Sequence, residues 1–588
     1  MNQLATVSAW GPASAWRVLE LAGEAVPASP CRALSNLEKL VRHWRTQNLR
    51  PSLHYVLLLP AMDEGDLQTA LNDLQPGLGW DWLRAGQTLR PGFHRYELES
   101  GRVLLTICTG ALRQQLRQLQ FAADAIWLPA CADVWERWQG MALARCSQLG
   151  TKLVTARLDA NCLAALAQVG FSWENRPADA AFRVAHFQPF WLPAKVGKST
   201  RPGRHPRQRT TQPLAQSPDD PSKPSCIVVG AGLAGAAVAH ALAQRGWRVK
   251  VLDALAEPAQ EASGLPVGLL GAATSNSAPE LASPLVRLSW AGVSLCLQQA
   301  QRLLQPGMDW QASGLLTIKP DGQPGWQSQA AWIRPAALVR AWLKHPQIQF
   351  VGNTQVAACR AQGSGWDVMD PQDQVIATAS LVVLANASKL GEVWARTVQL
   401  DPSILKNETR MPTPLQPVAG QISWGLHTPD QSLFLPRFPI NGAGHLIAHV
   451  PQPSTKDQPN SAFWLLGAGY ETASPNQPPA TIDAAHRHLQ NALNWQRLNQ
   501  QLPGAAHSLQ AVFERKKVNS WRNVRAVSPD RLPMVGPLFH SRPGLWYAGA
   551  FGSRGLSWAA LCAEILAAQL HGEPLPIEAS LVTKIGVR

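Results

Sequence analysis

Residues Cys226 to Asp253, CIVVGAGLAGAAVAHALAQRGWRVKVLD, run through a short apolar strand, a GxGxxG turn, an alanine-rich helix, a second strand and a terminal acid. No other segment restricts the fold as tightly, because that order and spacing is the pattern of a dinucleotide-binding βαβ unit. Gly230 permits the tight turn, Gly232 lets backbone N–H groups approach a pyrophosphate, and Gly235 lets the helix pack close to the strand. Asp253 ends the second strand, where a carboxylate accepts the hydroxyls of an adenosine ribose. The unit by itself suits NAD and FAD equally. It starts at residue 226, so everything before it must be a separate folding problem.

A chain of 588 residues with 46% hydrophobic content supports more than one cored domain. Its 9 cysteines are scattered without a CxxC pair or a His/Cys cluster, which argues against a disulfide framework and a zinc site. The N-terminal sequence MNQLATVSAWGPASAWRVLE has no basic region followed by an apolar core, and no uncharged apolar run is long enough to span a bilayer. The expectation is a cytoplasmic protein with no membrane partner. A net charge of +14, from 53 Lys and Arg against 39 Asp and Glu, suggests a polyanionic partner, or serves solubility alone.

From Pro193 to Ser225 the chain is proline-rich, nearly free of apolar side chains, and carries Lys195, Lys198, Arg201, Arg204, Arg207 and Arg209. Such a stretch cannot bury enough surface to fold. It reads as a linker over 193–224 between a domain at 1–192 and another at 225–588, and its basic half either touches RNA phosphates or is a solvated tether.

Beyond Asp253, small-residue turns recur where a cofactor would need close approach. Ser263, Gly264 and Gly268 form one, suited to a flavin's ribityl chain or ring. An apolar strand ends in Ala385, Asn386, Ala387 and Ser388, and GLWYAGAFGSRGLSWAALCAEILAAQL (Gly544 to Leu570) reads as strand, Gly-rich turn and helix. In that turn Gly549, Gly552, Ser553 and Gly555 allow contact, and the helix N-terminus suits the negative charge of a reduced flavin.

With these segments the chain resembles the D-amino-acid-oxidase-like flavoproteins, which include glycine and sarcosine oxidases. The motifs that carry the resemblance are GAGLAG, EASG, RAVSPDRLPMVG (Arg525 to Gly536) and GAFGSRGL. AEPAQEASG, AAWIRPAALVRAWL (Ala330 to Leu343) and CAEILAAQLHGEPLPIEA bring it nearest to the C-terminal half of the MnmC family, the tRNA 5-methylaminomethyl-2-thiouridine biosynthesis proteins. The resemblance implies FAD as cofactor, tRNA as partner, and oxidative removal of the carboxymethyl group from a wobble 5-carboxymethylaminomethyl-2-thiouridine, leaving the aminomethyl form. It also implies an arginine to hold the substrate carboxylate, a role that falls first to Arg525 and second to Arg554. A small-molecule glycine- or sarcosine-type oxidase is the alternative. No general base is assigned, and His445, His449 and His486 read as structural or exposed. After ASG the family commonly has an Asn-Arg type sequence, whereas Leu265, Pro266 and Val267 stand here, so family RNA contacts in that loop do not carry over.

The N-terminal half resembles the family's S-adenosylmethionine-dependent methyltransferase in pattern but not in chemistry. After the candidate strand Trp16 to Leu21 there is a single glycine where the family has a Gly-rich turn. Leu59 stands at the expected ribose acid, Ala111 follows Gly110 where Gly-Asp is expected, and Leu128-Pro129-Ala130-Cys131 replaces Asp-Gly-Phe-Ala-Pro. Glu20, Asp63 and Glu64 are nearby acids that could in principle substitute. The expectation is therefore an eroded Rossmann-like α/β domain without S-adenosylmethionine, followed by a two-lobed α/β flavoprotein. Trp80, Trp82, Trp127, Trp135 and Trp138 are candidates for stacking on RNA. A bifunctional enzyme that still methylates the product remains the competing expectation.

Overall fold

The computed structural model describes residues 15–21, 30–47, 52–59, 90–128, 137–156, 158–175, 182–189, 216–217, 220–274, 283–319, 321–405, 412–452, 461–467, 469–472, 483–539 and 542–588. The basic run of the linker, Asp63, Glu64, Trp80, Trp82, Trp135 and Pro129 to Cys131 lie outside them. Among the described residues no helix is long and apolar enough to cross a membrane, and no group of His, Cys, Asp and Glu is arranged to hold a metal ion.

The chain forms two compact units, one of Met1–Pro213 with Ala567–Lys584, the other of Leu214–Leu566 with Ile585–Arg588. The first differs from a simple division at the linker, because residues near the C-terminus complete it. Its sheet contains β1 (Ala15–Leu21), β2 (Ser52–Leu59), β3 (Gly92–Leu98), β4 (Val103–Thr109), β5 (Ala123–Leu128), β6 (Ser147–Thr155), β7 (Phe171–Trp173) and β8 (Arg183–Phe187). Their order is β3-β4-β2-β1-β5-β6-β8-β7. β4, β2, β1, β5 and β6 run parallel, while β3 and β8 are antiparallel to their neighbours. Strands such as SLHYVLLL and VLLTICT are buried along almost their whole length, as strands of a parallel sheet covered on both faces are. The order reverses between β1 and β5, the topological switch point where open α/β sheets place ligands.

Into this unit the segment Ala567–Lys584 brings buried Leu575, Ile577, Leu581 and Val582. Its polar contacts reach several strands and a helix of the same unit. Arg95 donates to the Pro574 carbonyl at 2.5 Å, His54 Nε2 lies 3.5 Å from Glu573 Oε1, and the Ser580 N–H donates to Gln118 Oε1 at 2.9 Å.

The second unit has two lobes. In the cofactor-type lobe, strands Ile348–Val351, Arg248–Leu252, Asp220–Val229, Leu381–Leu384 and Leu545–Gly549 lie side by side in parallel, with Met534–Pro537 antiparallel at the edge. The strand Asp220–Val229 starts inside the segment expected to be linker, and pairs there with Gln216–Ser217. Helix Leu233–Ala243 is so rich in alanine that it buries nearly every residue against the sheet. A bidentate ion pair between Arg245 and Glu564, at 3.1 and 3.0 Å, ties the end of that helix to helix Gly555–His571.

The other lobe is an eight-stranded mixed sheet whose central strands are Leu315–Ile318, Ile440–Asn441, His445–Pro451, Ala462–Gly467 and Gln416–Leu426, the last flanked by Asn519–Val527. Alternation on Gln416–Leu426 sends Gln421 and Ser423 backward and Gly420 and Ile422 forward. Gln421 and Ser423 hydrogen-bond Asn491 at 2.9 and 2.7 Å, and Asn494 donates to Ser423 at 3.1 Å. That buried network anchors helix Ala484–Gln501 behind the sheet and leaves the forward face free to form a site.

Candidate active site

One cavity of about 710 Å³ is walled on one side by the turns of the cofactor-type lobe and on the other by the forward face of the mixed sheet. Its volume falls within the usual range of ligand clefts. Of the residues singled out by sequence, Gly230, Gly232, Asp253, Ser263, Ala387, Gly549, Gly552, Ser553, Gly555, Arg525 and Arg554 all line it. Gly235 and Gly264 do not, and their physical role is different. A Cβ on Gly235 would run into the Gly230 carbonyl, and one on Gly264 would stand 2.6 Å from the Ala259 carbonyl oxygen. Both act behind the wall by allowing backbone to pack on backbone.

The turn is built as its sequence requires. Gly230 has φ +108°, and a Cβ there would lie 2.6 Å from the Ala385 carbonyl, so this position combines a left-handed backbone with no room for a side chain. Gly232 caps helix Leu233–Ala243, and the Leu233 N–H donates to Ser263 Oγ at 2.9 Å, which fixes the EASG turn beside the helix N-terminus. Asp253 accepts from the Ala231 and Leu255 N–H groups at 2.6 and 2.9 Å. The acid thus braces the glycine turn from the end of the second strand. A cradle of glycines, a helix N-terminus and an acid at the strand end fit the pyrophosphate and ribose of a dinucleotide. The turn after strand Leu381–Leu384 adds Ala387 (φ +49°), and a second turn, after strand Leu545–Gly549, adds Ala550 (φ +62°) and Gly552 (φ +53°) before the start of helix Gly555–His571.

Arg525 projects from strand Asn519–Val527, and its Nη2 donates to the Gly469 carbonyl at 3.3 Å. Its guanidinium lies 4.8 Å from the centre of the Tyr470 ring. Gly420 on the neighbouring strand leaves the space the guanidinium occupies, since a Cβ there would strike Nη2. Arg554 enters from the second turn, and burial holds its pKa below the usual arginine range, with Tyr470 opposing that shift. Two cations therefore face one cavity, an arrangement suited to an anionic substrate.

His445 also lines this cavity, whereas the sequence places it among structural or exposed histidines. Burial, and then the nearby Arg525 charge, lower its pKa to about 4, so the imidazole is neutral near pH 7. His449 and His486 are engaged elsewhere, with the Leu435 carbonyl and with Glu471 respectively. Tyr470, Trp521 and Asn523 are further lining residues without a motif to mark them. Trp521 and Asn523 share the strand parity of Arg525, and that period of two was the available signal.

In the first unit, Glu20 stands at the end of β1, at the switch point. It accepts from Asn36 Nδ2 at 2.9 Å and from the Tyr55 hydroxyl, and burial raises its pKa to about 7. Leu59 ends β2 as a buried aliphatic side chain, and Ala111 caps helix Leu112–Gln118 with no side-chain hydrogen bond. Trp127 packs at 5.6 Å on Phe182, and Trp138 lies under the Arg113 guanidinium at 5.2 Å, so both candidate stacking residues have partners within the unit.

A family model described as FAD dependent oxidoreductase matches residues 225–331 and 319–569. Along its whole length the chain is 39% identical, over 629 aligned residues covering 95% of the relative, to the tRNA 5-methylaminomethyl-2-thiouridine biosynthesis bifunctional protein MnmC of Albidiferax ferrireducens. The protein of the same name from Polaromonas naphthalenivorans is 35% identical, with 91% of this chain and 85% of the relative aligned. Among solved structures, the glycine oxidase of Geobacillus kaustophilus aligns with 62% of this chain and 98% of its own, at 17% identity and a TM-score of 0.47.

Proposed function

Because the chain belongs to the FAD dependent oxidoreductases and to the MnmC family, we propose that it is a tRNA-modifying flavoenzyme that removes the carboxymethyl group from 5-carboxymethylaminomethyl-2-thiouridine at the wobble position. The observation that carries the reading is a cavity in which a glycine cradle faces Arg525 and Arg554. Gly230, Gly232, Asp253, Ser263 and the turn through Gly555 would hold FAD. When bound, FAD supplies the two-electron acceptor that converts the amine to an imine, which water splits into the aminomethyl nucleoside and glyoxylate.

The chain's own residues bind and orient. Arg525 takes the substrate carboxylate through paired N–H donors, which fixes the adjacent methylene against rotation. Arg554 adds a second positive charge that is more effective for being buried. His445 stays neutral beside Arg525 and does not compete for the carboxylate. The net charge of +14 favours the approach of a polyanionic RNA.

For the first unit the reading is a methyltransferase-like fold without methyl transfer. Glu20 is occupied by Asn36 and Tyr55, and Leu59 offers no acceptor where a ribose would need one. The test of both readings is incubation of the purified flavoprotein with tRNA carrying the carboxymethylaminomethyl group, followed by mass analysis of the nucleosides. The expected product is the aminomethyl form, still unmethylated when S-adenosylmethionine is added. Unchanged tRNA refutes the oxidase reading, and a methylated product refutes the reading of the first unit.

A further inference from the structure

Tyr470 is a large aromatic side chain on the wall of the cavity, yet it is 66% exposed. One face of its ring is covered by the Arg525 guanidinium at 4.8 Å. The residue before it, Gly469, accepts the Arg525 hydrogen bond at 3.3 Å, and Gly420 admits the guanidinium from the facing strand. The ring and the cation are thus held as a stacked pair by the backbone on both sides. Trp521, the other aromatic residue on this wall, packs into the cluster around Ile422 and Phe463, whereas Tyr470 has an open ring surface.

We propose that Tyr470 stacks on the pyrimidine ring of the substrate nucleotide while Arg525 beneath it binds the carboxylate of that nucleotide's side chain. This rests on the reading that Arg525 receives the carboxylate of a modified uridine. A pyrimidine that bears a carboxymethylaminomethyl arm presents a π face and, at the end of a short chain, an anion, and the Tyr470–Arg525 pair presents an open ring with a cation 4.8 Å from its centre. Free amino acids offer only the anion. Flipped or unstacked bases are commonly held on aromatic and guanidinium planes in this way. The Gly469 carbonyl and the room left at Gly420 position the Arg525 guanidinium without help from the Tyr470 ring.

The test compares the FAD-loaded full chain with Tyr470→Ala, Tyr470→Leu and Tyr470→Phe, each checked for retained flavin absorbance. Two quantities are measured: the KM for carboxymethylaminomethyl-tRNA, and the Kd of acetate from its perturbation of the flavin spectrum. Loss of a base stack predicts a KM raised about 5- to 100-fold in the Ala and Leu variants. The Phe variant should stay near wild type, and the acetate Kd should hold in all of them. If Ala loses flavin, the Leu variant, which keeps the bulk but lacks a π face, decides the matter. A KM within twofold of wild type in the Leu variant overturns the proposal. An acetate Kd that rises in step with KM also overturns it, because Tyr470 would then only prop Arg525. Failure of the wild-type chain to convert the tRNA at all, with acetate binding intact, refutes the tRNA oxidase reading itself.

Discussion

Residues 1–213 without Ala567–Lys584 should not form a stable unit. In that C-terminal segment Leu575, Ile577, Leu581 and Val582 are exposed by only 5, 1, 3 and 6%. Burying four such aliphatic side chains stabilises by about 6–12 kcal/mol at about 1.5–3 kcal/mol each, an upper estimate because the unfolded chain already hides part of this surface. The whole stability of a domain is about 5–15 kcal/mol. The missing segment therefore supplies an amount comparable to the total. Its removal also deprives Arg95, 3% exposed, of the Pro574 carbonyl, and His54, 1% exposed, of Glu573.

The assay is expression of residues 1–213 alone and of the same fragment joined by a flexible linker to residues 567–584, followed by near-ultraviolet circular dichroism and urea unfolding. The short fragment should lack tryptophan dichroism and a cooperative transition, and the extended fragment should show both. A short fragment that unfolds cooperatively, with the same midpoint as the extended one, would refute the reasoning and make the segment an ornament of the first unit.

Other substitutions probe the site and the switch point. Gly235→Ala places a methyl group against the Gly230 carbonyl, so the purified variant should lose its flavin, while Gly232→Ala meets only Ser263 Oγ at 3.0 Å and should keep part of it; absorbance near the flavin maxima reads both. Arg525→Ala should lower kcat/KM by about 100-fold or more, a loss of about 3 kcal/mol, and Arg525→Lys should recover only part of it because a single ammonium cannot pair with both carboxylate oxygens. Glu20 has its pKa raised from 4.5 to about 7, so the folded state holds a proton that the unfolded state releases between those values. Its contribution is full below pH 4.5 and is lost as pH rises to 7, by about 3 kcal/mol. Urea midpoints of the full chain across this range should fall less steeply in Glu20→Gln than in wild type, and equal slopes would refute the assignment.

The glycine turn was legible in the sequence because its chemistry is local. Gly230 needs a positive φ, Gly232 and Gly235 need absent side chains, and each need is met within a few residues of the others. Arg525 was legible only through its resemblance to a family motif. Tyr470 and His445 were not legible, since His445 reaches the cavity from strand His445–Pro451 and Tyr470 from the connection just before strand Glu471–Thr472, and periodicity tells which face a residue takes but not which segments become neighbours. Gly264 illustrates the opposite error. It belongs to the turn as expected, but its missing side chain serves the Ala259 carbonyl and not the cavity.

The same distinction explains why the first unit reads as a methyltransferase fold in pattern and not in chemistry. A parallel sheet of apolar strands needs only composition and period, and β1, β2, β4, β5 and β6 have both. A nucleotide site needs particular residues at strand ends, and there the chain has Leu59 and a Glu20 already engaged by Asn36 and Tyr55. What the sequence could not announce is that Leu575, Ile577 and Leu581 complete this unit, because GEPLPIEASLV carries no periodicity that names a partner. Their burial gives the unit a physical reason to persist whether or not it binds a cofactor. Deleting it would leave those aliphatic side chains in water near the end of the oxidoreductase chain, at a penalty of the same order as the stability of a domain.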